Sequence, residues 1–186
     1  TQLRDLDTAI TASKQIVQLD RADDAAREQL RRLLEKAQRW DELATVLEQE
    51  AMGAPDVETK IALEKKLAAL QEQKRKDPAA AAEAWARIAS LSAGDETAIQ
   101  TAVKLFEKGG SFDAAANVIA ENVSGVEDAA QRAALLTKLG ELRTKAGDAG
   151  GAGDAFSEAA EVSATVPNAS PDPKLWEKAE QAYFTA

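Results

Sequence analysis

Apolar residues along this chain recur every three or four positions. Leu30, Leu33, Leu34 and Ala37 follow that spacing, as do Ala98, Ile99, Ala102, Val103 and Phe106, and Leu135, Leu136, Leu139 and Leu142. This is the period of a helix that buries one face. A half-buried strand would alternate residue by residue, and no comparable alternating run occurs. The pattern predicts helices over residues 3–19, 23–39, 41–52, 57–76, 78–92, 95–109, 112–123, 127–146, 148–164 and 173–185. Breakers fall between them: Gly53-Ala54-Pro55-Asp56, Ser92-Ala93-Gly94-Asp95, Ser124-Gly125, and the longest interruption, from Val166 to Pro173. Residues 165–173 therefore read as a Pro-rich loop before a last helix.

A short phrase repeats along the chain: a polar or Gly-containing turn, an Asp, then a small or apolar residue that starts a helix. It occurs at Leu6-Asp7-Thr8-Ala9, Arg39-Trp40-Asp41-Glu42-Leu43, Lys76-Asp77-Pro78, Gly110-Ser111-Phe112-Asp113 and Gly147-Asp148-Ala149. With Ala9, Leu43, Ala81, Ala115 and Ala152 taken as equivalent, the spacings are 34, 38, 34 and 37, a period that fits a pair of helices. An Asp ahead of a helix accepts hydrogen bonds from its first free N–H groups, and Pro78 suits a first turn. Each phrase is expected to be a tight turn between antiparallel helices.

These units resemble the tetratricopeptide repeat. Leu136, Leu139-Gly140, Leu142, the Gly147-Asp148 turn, and Ala152, Phe156 and Ala159 match that family's Leu-Gly pair, turn and Ala–aromatic–Ala series. Lys76-Asp77-Pro78 with Ala81 and Trp85 is a second match, and Gly110-Ser111-Phe112-Asp113 with Ala115 and Ile119 a third. Trp176, Ala179 and Tyr183 are similar to the opening helix of a further unit. Leu43 stands where the family has a small residue, and Arg31 where it has Gly. The resemblance implies an all-α fold: an α-solenoid of about four to five antiparallel helix pairs in a right-handed superhelix, spanning residues 1–186 as one segment. It also implies that Gly140, Ala152 and Ala159 lie where helices approach closely and that Phe156 fills the gap. The Thr1-Gln2-Leu3-Arg4 start, and a last unit made of one helix, suggest a slice of a longer array.

Composition narrows the chemistry. The 186 residues include no Cys and no His, which removes disulfides, Cys/His zinc sites, Cys nucleophiles and Ser-His-Asp triads. Ala accounts for 41 residues and aromatics for only 4%, which suits close helix packing. The net charge of −9 argues against attraction to nucleic acid or to an acidic membrane surface, and no apolar run is long enough to span a bilayer. No cofactor is expected. The compartment stays open between cytoplasm and periplasm, and the Ala, Arg, Asp and Gly bias suits a GC-rich bacterial genome.

Several groups invite a sharper reading. Gly147, Gly150, Gly151 and Gly153 could be a phosphate loop, but no G-x-G-x-x-G follows a strand and no Gly-Lys-Ser/Thr is present, so a close-packed hairpin is expected. Asp23/Asp24, Glu48/Glu50 and Glu127/Asp128 are acidic pairs without a calcium-loop pattern, and are expected at helix caps or on solvated faces. Lys74-Arg75-Lys76 is expected at a helix C-terminus, and Trp40, Trp85 and Trp176 at packing positions. Asn122-Val-Ser124 and Asn168-Ala-Ser170 match the N-glycosylation pattern.

In the family resembled, the first helix of each pair lines a concave groove. Projection of polar residues from those helices gives Arg32 and Lys36, Lys65 and Lys66, Lys104 and Lys108, and Lys138, Glu141 and Lys145, together with Gln29, Gln73 and Gln100. Glu28, Glu35, Glu72 and Glu107 share these faces, so the projected groove holds eight basic residues against five acidic ones. Such a face favours carboxylate-bearing segments, while i,i+4 pairing on solvated helices would explain the same residues without a ligand. The Lys-and-Asn clamp of some family members has no counterpart, because no Asn lies in these helices. The function expected is a non-catalytic scaffold or adaptor that presents the groove to another protein or peptide segment. The alternative is a structural spacer or self-assembling module that associates through its unit ends.

Overall fold

The computed structural model describes residues 2–20, 23–166 and 172–186. Among them every regular element is helical: α1 (Gln2–Leu19), α2 (Asp24–Lys36), α3 (Trp40–Met52), α4 (Val57–Leu70), α5 (Pro78–Leu91), α6 (Glu96–Lys108), α7 (Phe112–Asn122), α8 (Ala129–Ala146), α9 (Ala149–Ala164) and α10 (Pro173–Thr185). The chain forms two compact units, Thr1–Lys76 and Asp77–Ala186, and within each one consecutive helices pack in pairs. The fold is all-α and solenoid-like, as the apolar period predicts.

The helix starts follow from local chemistry. Asp23, Asp56, Asp77, Asp95, Asp128, Asp148 and Asp172 each occupy an N-cap and accept a hydrogen bond from a backbone N–H of the first turn, at 2.7–3.0 Å. Two of these, Asp77 and Asp148, belong to the repeated phrase. Asp41 and Asp113 instead lie inside the first turns of α3 and α7, whose N-caps, Arg39 and Ser111, make no side-chain capping bond. Asp7 does not mark a turn: it lies within α1, since no Gly or Pro accompanies it, and bonds Arg39 at 3.2 Å.

Two helix ends differ from expectation. α2 stops at Lys36 because Gln38 turns left-handed at φ 55°. The α-helical part of α4 stops at Leu70, and Gln71–Arg75 continues as a wider π turn that ends on left-handed Lys76 at φ 56°. Gln71, 1% exposed, is held inside that turn by Arg75 Nη1, which donates to its Oε1 at 2.8 Å. The loop expected at 165–173 lies largely outside the described residues.

Ile10, Leu34 and Leu67 form the most buried part of the first unit, and Ile88, Ile99, Ile119, Leu136 and Leu142 that of the second. Each contributes on the order of 1.5–3 kcal/mol relative to an exposed side chain. Small residues set the helix spacing. A Cβ on Gly140 would lie 2.6 Å from Phe156 Cε1, so α8 and α9 meet as closely as the Leu-Gly…Phe pattern implies. Gly153 meets the Tyr183 ring in the same way, which seats α10 on α9. Gly94 combines φ +77° with a backbone approach in which a Cβ would lie 2.4 Å from the Gly125 oxygen. Trp40 and Trp85 are half-buried, whereas Trp176 is 48% exposed. Leu175, Ala179 and Ala182 take the face of α10 that packs on α9, which leaves Trp176 outside the core.

Candidate functional site

The second unit carries a groove of about 240 Å³ whose walls are α6 and α8. Val103, Ile119 and Leu135 form its apolar floor, and Lys104, Lys138 and Gln131 stand on its rim. Glu107 organises one side. It accepts from Lys138 Nζ at 2.9 Å and from Lys145 Nζ at 3.1 Å. Burial pushes the Glu107 carboxyl up, but the hydrogen bonds and charges of the two lysines outweigh this and hold it below the usual glutamate range. Lys145 also lies 5.4 Å above the Phe112 ring centroid. One helix further on, Lys178 Nζ donates to Glu141 Oε1 at 3.3 Å and sits 5.3 Å from the Phe156 ring centroid.

These bonds repeat. Lys104-Leu105-Phe106-Glu107 in α6, Lys138-Leu139-Gly140-Glu141 in α8 and Lys178-Ala179-Glu180-Gln181 in α10 occupy the same register. Lys138 of α8 and Lys178 of α10 each reach back to a glutamate of the groove helix before, Glu107 and Glu141, which makes a ladder of two charge-assisted rungs along the face. Lys104 has no ion-pair partner among the described residues.

The first unit has a different cleft, of about 350 Å³, between α2 and α4 beside the Gly53-Ala54-Pro55 loop. Arg31 crosses it. Its guanidinium bonds Glu28 of its own helix through Nε at 3.2 Å and reaches Glu50 of α3 through Nη1. The Glu50 side chain is only 8% exposed, and its Oε1 has no hydrogen-bond partner among the described residues. The Glu28 carboxyl is held below its usual range, chiefly by the Arg31 hydrogen bond and then by that of Arg32. Here the guanidinium ties carboxylates of two helices together across the cleft, with one Glu50 oxygen left over.

Of the residues projected onto a groove, the structure gathers Lys104, Lys138 and the flanking Lys145 around one opening, with Glu141 on the next rung. Lys66 lines the first-unit cleft, and Arg32 pairs with Glu28 at 2.9 Å on the exposed side of α2. Lys36, Lys65 and Lys108 are exposed and make no ion pair among the described residues. Arg31, Glu50 and the ladder partner Lys178 are site residues that the projection misses. The recurring Lys-Leu-x-Glu was a readable signal for the ladder; nothing in the sequence marks the Arg31–Glu50 pairing across two helices.

The other candidates take structural roles. Gly151 N–H donates to the capping Asp148, while Asp23 and Asp128 cap α2 and α8. Lys74 lies 5.4 Å over Trp40, and Arg75 bonds Asp41 at 2.9 Å. Asn122 is 7% exposed and donates to the Val118 carbonyl at 2.8 Å, so its amide is not presented for glycosylation. Asn168-Ala-Ser170 lies outside the described residues. Among the described residues no group of His, Cys, Asp and Glu could hold a metal ion, and no helix is long and apolar enough to cross a membrane.

No family model matches the chain, and no curated protein does. Among solved structures it is similar to the crystal structure of BtubC (BKLC) from P. vanneervenii, at 16% identity and a TM-score of 0.44 over 99% of this chain and 82% of that one.

Proposed function

We propose that this chain is a non-catalytic, tetratricopeptide-like scaffold that holds a segment of another protein in the α6–α8 groove. The observation that carries this reading is the opening of about 240 Å³ between α6 and α8, where a polar rim surrounds Val103 and Leu135, which are 5% and 6% exposed. An aliphatic side chain laid there would lose its hydration at little cost in polar desolvation, because Lys138 already donates to Glu107. The close α8–α9 approach at Gly140 and Phe156 supports the tetratricopeptide assignment. No cofactor, nucleic acid or membrane enters this reading, and the partner is a protein or peptide.

Ala134 is exposed on the groove wall, so Ala134→Trp fills the opening without disturbing the core. Random linear peptides displayed on phage should be enriched on the wild-type chain and lost on Ala134→Trp at unchanged thermal stability. Equal enrichment on both would end the reading.

A second reading, a module that associates with copies of itself, rests on apolar side chains exposed on α10 and α1: Trp176 at 48%, Phe184 at 83%, Ile16 at 46% and Leu19 at 89%. Sedimentation velocity over a wide concentration range tests it. Assembly that Trp176→Ser plus Phe184→Ser dissolves would support it, and a strict monomer would remove it.

A further inference from the structure

The helix α10 buries one face and leaves an aromatic one exposed. Leu175, Ala179 and Ala182 pack on α9, whereas Trp176 and Phe184 stand with Glu180 on one i, i+4, i+8 row, exposed at 48% and 83%. Tyr183 borders the same row: its ring lies against Gly153, and its hydroxyl donates to Asp154 Oδ1 at 2.7 Å. That bond brings an acidic row of α9 alongside, because Asp154, Glu158 and Glu161 follow i, i+4, i+7 spacing and all three are exposed. With the exposed Glu177 and Glu180, five carboxylates accompany the three rings. No Lys or Arg lies in α9 to offset them. The two lysines of α10 take its other flank, where Lys178 donates to Glu141 of α8 and Lys174 sits one turn before it.

We infer that this face docks a basic amphipathic helix of another protein. The apolar stripe of that helix covers Trp176, Tyr183 and Phe184, and its Lys or Arg residues meet Glu177, Glu180 and the α9 carboxylates. An i, i+4 row of side chains is the ridge that a second helix receives in its groove, and aromatic rings are the anchors such contacts favour. Charge selects among the occupants an exposed apolar face could take. A second copy of this chain offers α1, whose exposed Ala12, Ile16 and Leu19 are accompanied by Asp5 and Asp20, so that acid would meet acid. An anionic lipid surface would be repelled by the same five carboxylates. None of these residues lines the α6–α8 opening, so the inference stands independently of the scaffold reading.

Fluorescent helical peptides test this on the whole chain. Each carries Leu at i, i+3, i+4, i+7 and i+8, with Lys and Ala elsewhere in one form and Glu and Ala in the other; a third has the composition of the Lys form in scrambled order. The Lys form should bind, and the Glu and scrambled forms should bind at least about tenfold more weakly. Trp176→Ser plus Phe184→Ser, which changes no charge, should weaken the Lys form by at least about tenfold. Glu177→Gln plus Glu180→Gln should weaken it about threefold or more at low salt, with the margin shrinking as salt is raised. Glu121→Gln plus Glu127→Gln, an equal charge change on exposed positions outside α9 and α10, should leave it unchanged, as should Ala134→Trp in the α6–α8 groove. The inference is overturned if the Lys and scrambled forms bind alike, if the serine pair has no effect, or if Ala134→Trp abolishes binding. It is also overturned if the chain alone dimerises and the serine pair dissolves the dimer, which would assign the face to a second copy.

Discussion

The cleft of the first unit and the groove of the second are built from the same helix-pair geometry and use their charges in opposite ways. In the first, Arg31 is fixed by Glu28 and Glu50, and its side chain is only 18% exposed. A planar guanidinium can bond carboxylates on two helices at once, which makes it a brace. In the second, lysines bond one rung at a time and are 35% and 49% exposed at Lys138 and Lys145. An exposed ammonium contributes little to stability and can be left over, as it is at Lys104. The difference teaches that charge on a helical face is read from how it is paired, more than from how dense it is.

The hardest blow to either region is in its core. Leu34→Ala in the first unit and Leu136→Ala in the second, both at 0% exposure, should each cost about 2–5 kcal/mol. Calorimetry of both variants would show whether each lowers a transition of its own; a single shared transition shifted equally by both would mean that the contrast is local to the surfaces. Arg31→Ala should be next, at about 1–3 kcal/mol, because Glu50 stays buried without its guanidinium. Urea denaturation reads this directly, and a loss no larger than that of Lys138→Ala would erase the distinction between brace and ladder.

Gly140→Ala should destabilise by about 1 kcal/mol: displacement of the Phe156 ring costs roughly 1–3 kcal/mol and helix propensity returns about 1. Phe156→Leu in the same background should relieve the clash. The smallest effect belongs to the ladder, where a Glu107–Lys138 double-mutant cycle should give less than about 1 kcal/mol. Its sign with pH is fixed. The folded Glu107 carboxyl titrates below the usual glutamate value of about 4.3, so its contribution is complete above that pH and disappears as pH falls through the lower folded value. Lys138→Ala plus Lys145→Ala should move the Glu107 titration, followed by NMR, upward.

Much of this architecture was legible in the sequence, and the exceptions have physical causes. Apolar spacing located each helix because each buries one stripe, and Gly140 with Phe156 announced a close crossing. The left-handed turns at Gln38 and Lys76 were not legible, since neither residue is the Gly or Asn that usually marks such a turn. The π turn at Gln71–Arg75 was equally silent, because its residues are all good helix formers. For the site, the basic faces could be projected from helical geometry. Which lysine was paired could not be, since that depends on the glutamate of another helix. Trp176 read as core from its place in the repeat, but a packing position is buried only when a neighbouring helix covers it.

The aspartate caps bear on how the protein behaves as a charged particle. Seven of the 32 acidic residues sit at helix N-termini as caps, which leaves 25 against 23 basic ones. Nearly all of the surplus negative charge is therefore architectural, spent locally on free N–H groups and on the positive ends of helix dipoles. Asn accepts the same capping bonds without charge. A chain with Asn at those seven positions would migrate as an almost neutral protein while keeping its helix boundaries, so electrophoretic mobility and fold can be altered independently.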